Sequence, residues 1–293
     1  MTNPYKINPS FKTDIVESSV WSLPTADDSS VGTDLVGWNK VKSIIDETVA
    51  AGKLFTTDIM TTYSLVATTF QNGYRGGVLA PNGDIHLVPY TANVGQKINS
   101  RGIVSTYSLL ITNASGAYEG GVLAPNGDIH FIPYDAGGGQ KINASGVVST
   151  YSLVHVVADA YFGGVLAPNG DIHFVPSEAR VGQKININGT VSTYSLVYTS
   201  LNGAYRGGVL APNGDIHFVP YYAPVGQKID INGVVSTYNY ALGASSYHVS
   251  GVLAPNGNIY ALPRSLNGIN IINNNNGMTF RLSVAASPWF NKY

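Results

Sequence analysis

The chain has 293 residues and a mass of 31.0 kDa, enough for one large or two small domains with a substantial core. Only 11% of residues are charged, against roughly 25% in an average soluble domain, and 16 basic residues face 17 acidic ones. That balance excludes electrostatic nucleic-acid binding as the main task, and the absence of cysteine excludes disulfides, thiolate metal sites and cysteine nucleophiles.

In chain order, the first residues show no basic stretch followed by an apolar run, so no secretory signal is expected. No segment anywhere approaches the roughly 18 apolar residues of a membrane span, so no membrane partner is expected either. Asn3 to Pro24 reads as an extended polar arm carrying Tyr5, Ile7, Phe11, Ile15, Val16 and Trp21. Thr33 or Asp34 can cap a helix running through about Ala51, with Val41, Ile44, Ile45 and Val49 on one face and Gly52 as its stop. Arms of this kind gain order by lying on a partner. Residues 1–51 are therefore expected to anchor the chain to a larger assembly, and residues 52–293 to form the second domain.

That second domain is a repeat. The phrase APNGDIH begins at Ala80, Ala124, Ala167 and Ala211 and returns as APNGNIY at Ala254, with spacings of 44, 43, 44 and 43 residues. A TYSL-like phrase keeps the same period, with its aromatic at Tyr63, Tyr107, Tyr151, Tyr194 and Tyr238 and a weaker sixth copy at Phe280. Each unit reads as four short strands, as in Gly76–Pro81, Asp84–Val88, Val94–Asn99 and Ile103–Leu110. Asn82–Gly83 is expected as a two-residue turn with both positions at positive φ, and Pro89 and its equivalents mark strand ends. Units of this size with four strands are propeller blades. The expectation is an all-β, five-bladed β-propeller with an N-terminal extended arm and short helix. The Gly-Gly pairs, as at Gly76–Gly77, suit its crowded innermost strands. The ends do not balance: Thr62–Val66 and Thr279–Val284 compete for the outer edge of one blade.

The phrase GVLAPNGxI, followed by His or Tyr, two residues and Pro, resembles a propeller repeat widespread in bacterial, protist and phage-encoded proteins. The plan is similar to that of tachylectin-2-like lectins, although no lectin signature matches residue by residue. The uncharged texture rich in Tyr, Asn, Gly and Thr, with an arm ahead of the repeats, resembles phage virion surface proteins. The resemblance implies a structural or decoration component of a phage particle, with the arm binding other virion proteins and the propeller facing outward at the virion surface. Contact with glycans and homo-oligomerisation fit the same picture. The alternative is a free multivalent lectin, extracellular or cytoplasmic, and a glycosidase comes third.

No catalytic residue, metal site or cofactor is expected. His86, His130, His173 and His217 recur around a ring and cannot converge on a metal. Asp84, Asp128, Asp171 and Asp215 follow turn glycines, and near-identical repeats offer no asymmetric set of acid, base and stabiliser. The chain is thus expected to act without catalysis. Candidate ligand contacts are the repeated polar aromatics and amides. Tyr74, Tyr118, Tyr161, Tyr205 and Tyr247 precede the inner strands and are followed by changing residues, Arg75, Glu119, Phe162, Arg206 and His248. Tyr90, Tyr134 and Tyr221 follow the strand-end prolines, and Gln96, Gln140, Gln183 and Gln227 each precede a lysine. The competing expectation is that these rings pack between blades and that the Gln-Lys pairs are solvated edge residues.

Overall fold

The computed structural model describes residues 64–67, 71–240, 247–264, 268–273 and 279–283. The expected arm and helix of residues 1–51 lie outside them. Every regular element described is a β-strand, and the strands form antiparallel four-stranded sheets, each a meander in chain order. The first sheet holds β1 (Tyr74–Leu79), β2 (Ile85–Pro89), β3 (Val94–Ile98) and β4 (Val104–Ser108). The second holds β5 (Tyr118–Leu123), β6 (Ile129–Pro133), β7 (Gly139–Ile142) and β8 (Val148–Tyr151). The third holds β9 (Tyr161–Leu166), β10 (Ile172–Pro176), β11 (Val181–Ile185) and β12 (Val191–Ser195). The fourth holds β13 (Tyr205–Leu210), β14 (Ile216–Pro220), β15 (Val225–Ile229) and β16 (Val235–Asn239). The last holds β17 (His248–Leu253), β18 (Ile259–Pro263), β19 (Gly268–Ile272) and β20 (Thr279–Ser283). First strands lie beside one another, β1 on β5, β5 on β9, β9 on β13 and β13 on β17. One repeat makes one sheet, and sheets stacked around their first strands are a β-propeller.

Side-chain alternation along the second strand ties each sheet to both neighbours. In β6, Ile129 and Phe131 pack with Val78, Ala80 and Val88 of the preceding sheet. Ile132 faces the other way, onto Tyr161 and Phe174 of the following one. Phe131, Phe174 and Phe218 are fully buried in equivalent places. The glycine pairs serve close approach. A Cβ on Gly121 would stand 2.8 Å from Val78 Cγ2, and one on Gly120, at φ 91°, would stand 3.2 Å from the Gly163 Cα of the next inner strand.

The turn after each first strand differs from its expected form. Gly83 N–H donates to the Ala80 carbonyl at 3.0 Å, and in this turn φ is positive only at Gly83 (84°). Pro81–Asn82 therefore form the corner of a type I turn, with Gly83 as the left-handed residue after it. Asn82 suits the corner because its Oδ1 accepts the Asp84 N–H at 3.0 Å.

The competition between the terminal phrases also has a structural outcome. β20 pairs with β19 as the fourth strand of its sheet. At the other end, Val66 and Ala67 N–H both donate to Gln96 Oε1, at 2.9 and 3.0 Å. Leu110 and Ile111, which follow β4, do the same to Gln140, at 2.7 and 2.9 Å. The chain leaving the first TYSL phrase thus meets the first sheet as the chain leaving β4 meets the second.

Candidate functional site

Many of the residues singled out from the sequence belong to the scaffold. Gln96, Gln140, Gln183 and Gln227 are fully buried, not solvated at an edge, and each side-chain oxygen accepts two backbone N–H groups of the segment that runs into its sheet from earlier in the chain. They satisfy amides that no strand pairs, which is why an amide side chain recurs there. Tyr118, Tyr161 and Tyr205 are fully buried, and their hydroxyls donate to the carbonyls of Gly138, Val181 and Val225 at 3.2, 3.2 and 3.4 Å. Tyr74 donates likewise to Val94, at 2.7 Å. In the last sheet it is His248, not Tyr247, that occupies this position, because His248 pairs with Pro263 as Tyr205 pairs with Pro220. Tyr247, expected at this position, stands one residue before it, and Val249 is therefore the counterpart of Arg206.

The repeated histidines lie between sheets. His86, His130, His173 and His217 point Nδ1 at the hydroxyls of Tyr107, Tyr151, Tyr194 and Tyr238, at 3.5, 3.3, 3.2 and 3.1 Å. Burial holds His130 and His173 down at about 4, so both are neutral at pH 7. Asp84, Asp128, Asp171 and Asp215 accept from Lys97, Lys141, Lys184 and Lys228 at 2.6–2.7 Å. Each aspartate is therefore paired with the lysine opposite. Crevices of about 90 and 140 Å³ open beside His130 and His173, lined in part by the Asn186–Gly189 and Asp230–Gly233 turns of the following sheet. Among the described residues no cluster of three or more histidine, aspartate or glutamate side chains could hold a metal ion.

Symmetry breaks at one end of the propeller, where the first strands begin and the second strands end. Arg75, Glu119, Phe162, Arg206 and Val249 occupy one register position in successive first strands. Arg75 forms an ion pair with Glu119 at 2.6 Å and lies 3.6 Å over the Tyr90 ring. Arg206 lies 3.8 Å over Tyr221 and 4.7 Å over Phe162. Tyr134 meets Tyr90 and Phe162, and Tyr221, Tyr222 and Tyr247 form a second aromatic group. Arg264 donates to the Tyr221 hydroxyl. Burial raises the Glu119 carboxyl, against the opposing effect of Arg75 and Arg206.

Beside this band opens a cavity of about 600 Å³, within the usual ~300–1,000 Å³ of a small-molecule site. Tyr134, Tyr198 and Tyr222 supply rings, Asp159 and Glu178 carboxylates, and Arg206 a cation, with Ser200 and Asn202 at its border. The connections after β6, β8, β10, β12 and β14 all contribute to its lining. Asp159 is fixed at φ 51°, and its N–H donates to Asp135 Oδ1 at 2.7 Å. Burial raises Glu178, and Asp159 and Asp135 add to that shift. Of the tyrosines and glutamines chosen from the sequence, Tyr134 lines the cavity, with Tyr90, Tyr221 and Tyr247 in the adjoining band. Asp159, Glu178 and Tyr198 went unnoticed because they lie in connections outside the repeated phrases. Their departure from the repeat was the available signal.

No family model matches the chain, and no curated protein matches it. Solved structures do share its fold. A catalytically inactive virginiamycin B lyase from Staphylococcus aureus, crystallised with quinupristin, superposes with a TM-score of 0.66 at 17% identity, over 78% of this chain and 74% of that one. A streptogramin B lyase gives 0.62 at 21% identity, over 71% and 67%. A gluconolactonase candidate gives 0.50 at 13%, over 75% and 80%. The chain has the fold of a β-propeller. The likeness corrects the expectation that it acts without catalysis, since propellers of this shape include enzymes. Asymmetry absent from the repeated phrases stands at the end face.

Proposed function

We propose that the chain is a closed, five-bladed β-propeller that binds a hydroxylated small molecule, a glycan or its terminal sugar, in the end-face cavity. The observation that carries this reading is the cavity itself: tyrosine rings, two carboxylates and a guanidinium converge where the repeat is broken. Rings cover the apolar face of a sugar, and carboxylates accept from its hydroxyls. Ring closure is supported by the matching roles of Gln96 and Gln140, since Gln96 takes the two amides that a preceding blade would supply. Display on a phage particle through residues 1–51 is the sequence's own suggestion, and loss of particle association on deleting that segment is the result that would support it.

The test is a glycan array followed by calorimetric titration on the full chain, beside Tyr222→Ala and Asp159→Asn. Tyr222 is 38% exposed, so its removal costs little stability. The reading expects a bound glycan whose affinity falls at least tenfold in both variants. Binding unchanged in both would place the ligand elsewhere, and product analysis of the same mixtures shows whether the bound sugar is turned over.

A further inference from the structure

Three arginines at the end face meet different neighbours. Arg75 is neutralised by Glu119 at 2.6 Å, and Arg264 donates to the Tyr221 hydroxyl. Arg206 forms no ion pair with any described residue. Its guanidinium is clamped between Tyr221 and Phe162, at 3.8 and 4.7 Å, and its buried Nε has no hydrogen-bond partner. The same side chain lines the cavity that Asp159 and Glu178 also line. A guanidinium offers five donors in a planar fork that matches a carboxylate, and two flanking rings fix that plane before any ligand arrives. Leaving such donors unused while the acidic residues stand apart from them makes the cavity bipolar.

We propose that the cavity selects an acidic sugar, a uronic acid residue whose carboxylate docks on Arg206 while its hydroxyls donate to Asp159 and Glu178. This rests on the glycan reading above and narrows it. A neutral sugar would cover the guanidinium and leave it without an anionic partner. A simple anion would meet Asp159 and Glu178 with nothing to offer them. A ring carrying one carboxylate and several hydroxyls answers both needs. Arg206 is thus a specificity-determining residue, and nothing at the equivalent positions of the other sheets repeats it, since Arg75 is occupied and Glu119, Phe162 and Val249 carry no cation.

The test titrates the full chain with glucuronic acid-terminated and glucose-terminated forms of one oligosaccharide, which differ only at the carboxylate. A charge-assisted bidentate contact predicts about ten- to hundredfold tighter binding of the acid. Arg206→Gln should erase that preference, bringing the acidic and neutral forms to one affinity, while Arg206→Lys, which keeps charge without the fork, should retain only part of it. Thermal melting of each variant shows that it is folded, and the wild-type comparison stands without any variant. Equal affinity for both forms would overturn the acidic preference and leave the glycan site standing. A preference that survives Arg206→Gln would overturn the assignment to this residue. Failure of both forms to bind, at any concentration that saturates other glycans of the array, would also overturn it, and failure of the whole array would remove the glycan site with it.

Discussion

The layer between sheets and the end face are built by the same repeats to opposite ends. Between sheets, the three middle copies place the same phenylalanine, histidine, tyrosine, glutamine and Asp–Lys pair in the same contacts, and their polar groups are largely turned to one another. At the end face one register position carries Arg75, Glu119, Phe162, Arg206 and Val249 in turn. The first region is selected for closing sheet on sheet, which every copy must do alike. The second is free of that demand, so differences there can build a site. In a repeat fold, conformity marks the scaffold and departure marks the function.

The sharpest way to break this comparison is to truncate the scaffold. Phe174→Ala empties a fully buried site against the second sheet and is expected to cost ~3–5 kcal/mol, read by chemical denaturation. Gly182→Ala overfills the layer on the opposite face of the sheet that carries Phe174, because the new Cβ would stand 2.1 Å from the Tyr194 ring; a loss of ~1–3 kcal/mol or more is expected. Gln183→Ala strands the Val154 and His155 amides, bonded at 2.9 and 2.8 Å, and should cost ~1–3 kcal/mol in the same assay.

Acid should distinguish the regions next. Burial holds His130, His173 and His248 down at about 4 in the folded chain, while in the unfolded chain they titrate near 6.5. The unfolded state therefore binds more protons between those values, so this contribution to stability is complete above pH 6.5 and is lost as pH falls to about 4. Denaturation midpoints measured from pH 8 to pH 4 should fall across that window, and flat midpoints would place these rings in water. Smallest for stability is Tyr222→Ala, expected within ~0.5 kcal/mol because the ring is partly exposed, yet with the large loss of affinity stated above. A Tyr222→Ala variant that melts early would make the end face part of the scaffold and dissolve the distinction.

The architecture was readable because period and strand chemistry coincide: APNG turns, strand-end prolines and glycine pairs all carry a backbone reason. The turn type was misjudged because Asn-Gly predicts a two-residue turn, whereas Pro81 ahead of it supplies a type I corner and shifts the left-handed residue to Gly83 alone. Tyr247 was assigned one position early because a tyrosine stands beside His248 in a copy whose glycine pair has become Ser250–Gly251. Gln96 and its equivalents looked like solvated edge residues, since nothing local reveals that the amides they cap arrive from the preceding repeat. The cavity was least legible. Asp159, Glu178 and Tyr198 fall in three different connections, and only the propeller's closure of sheet on sheet brings them together with Arg206.

The central claim is that the ligand site lies at the broken symmetry of the end face and not in the repeated crevices between sheets. Calorimetric titration of the full chain with its best array glycan tests this through stoichiometry. The account predicts about one ligand per chain, lost in Asp159→Asn and untouched by Asn188→Ala in the crevice beside His130. Several equivalent ligands per chain, weakened by Asn188→Ala, would contradict it and move the site into the repeat.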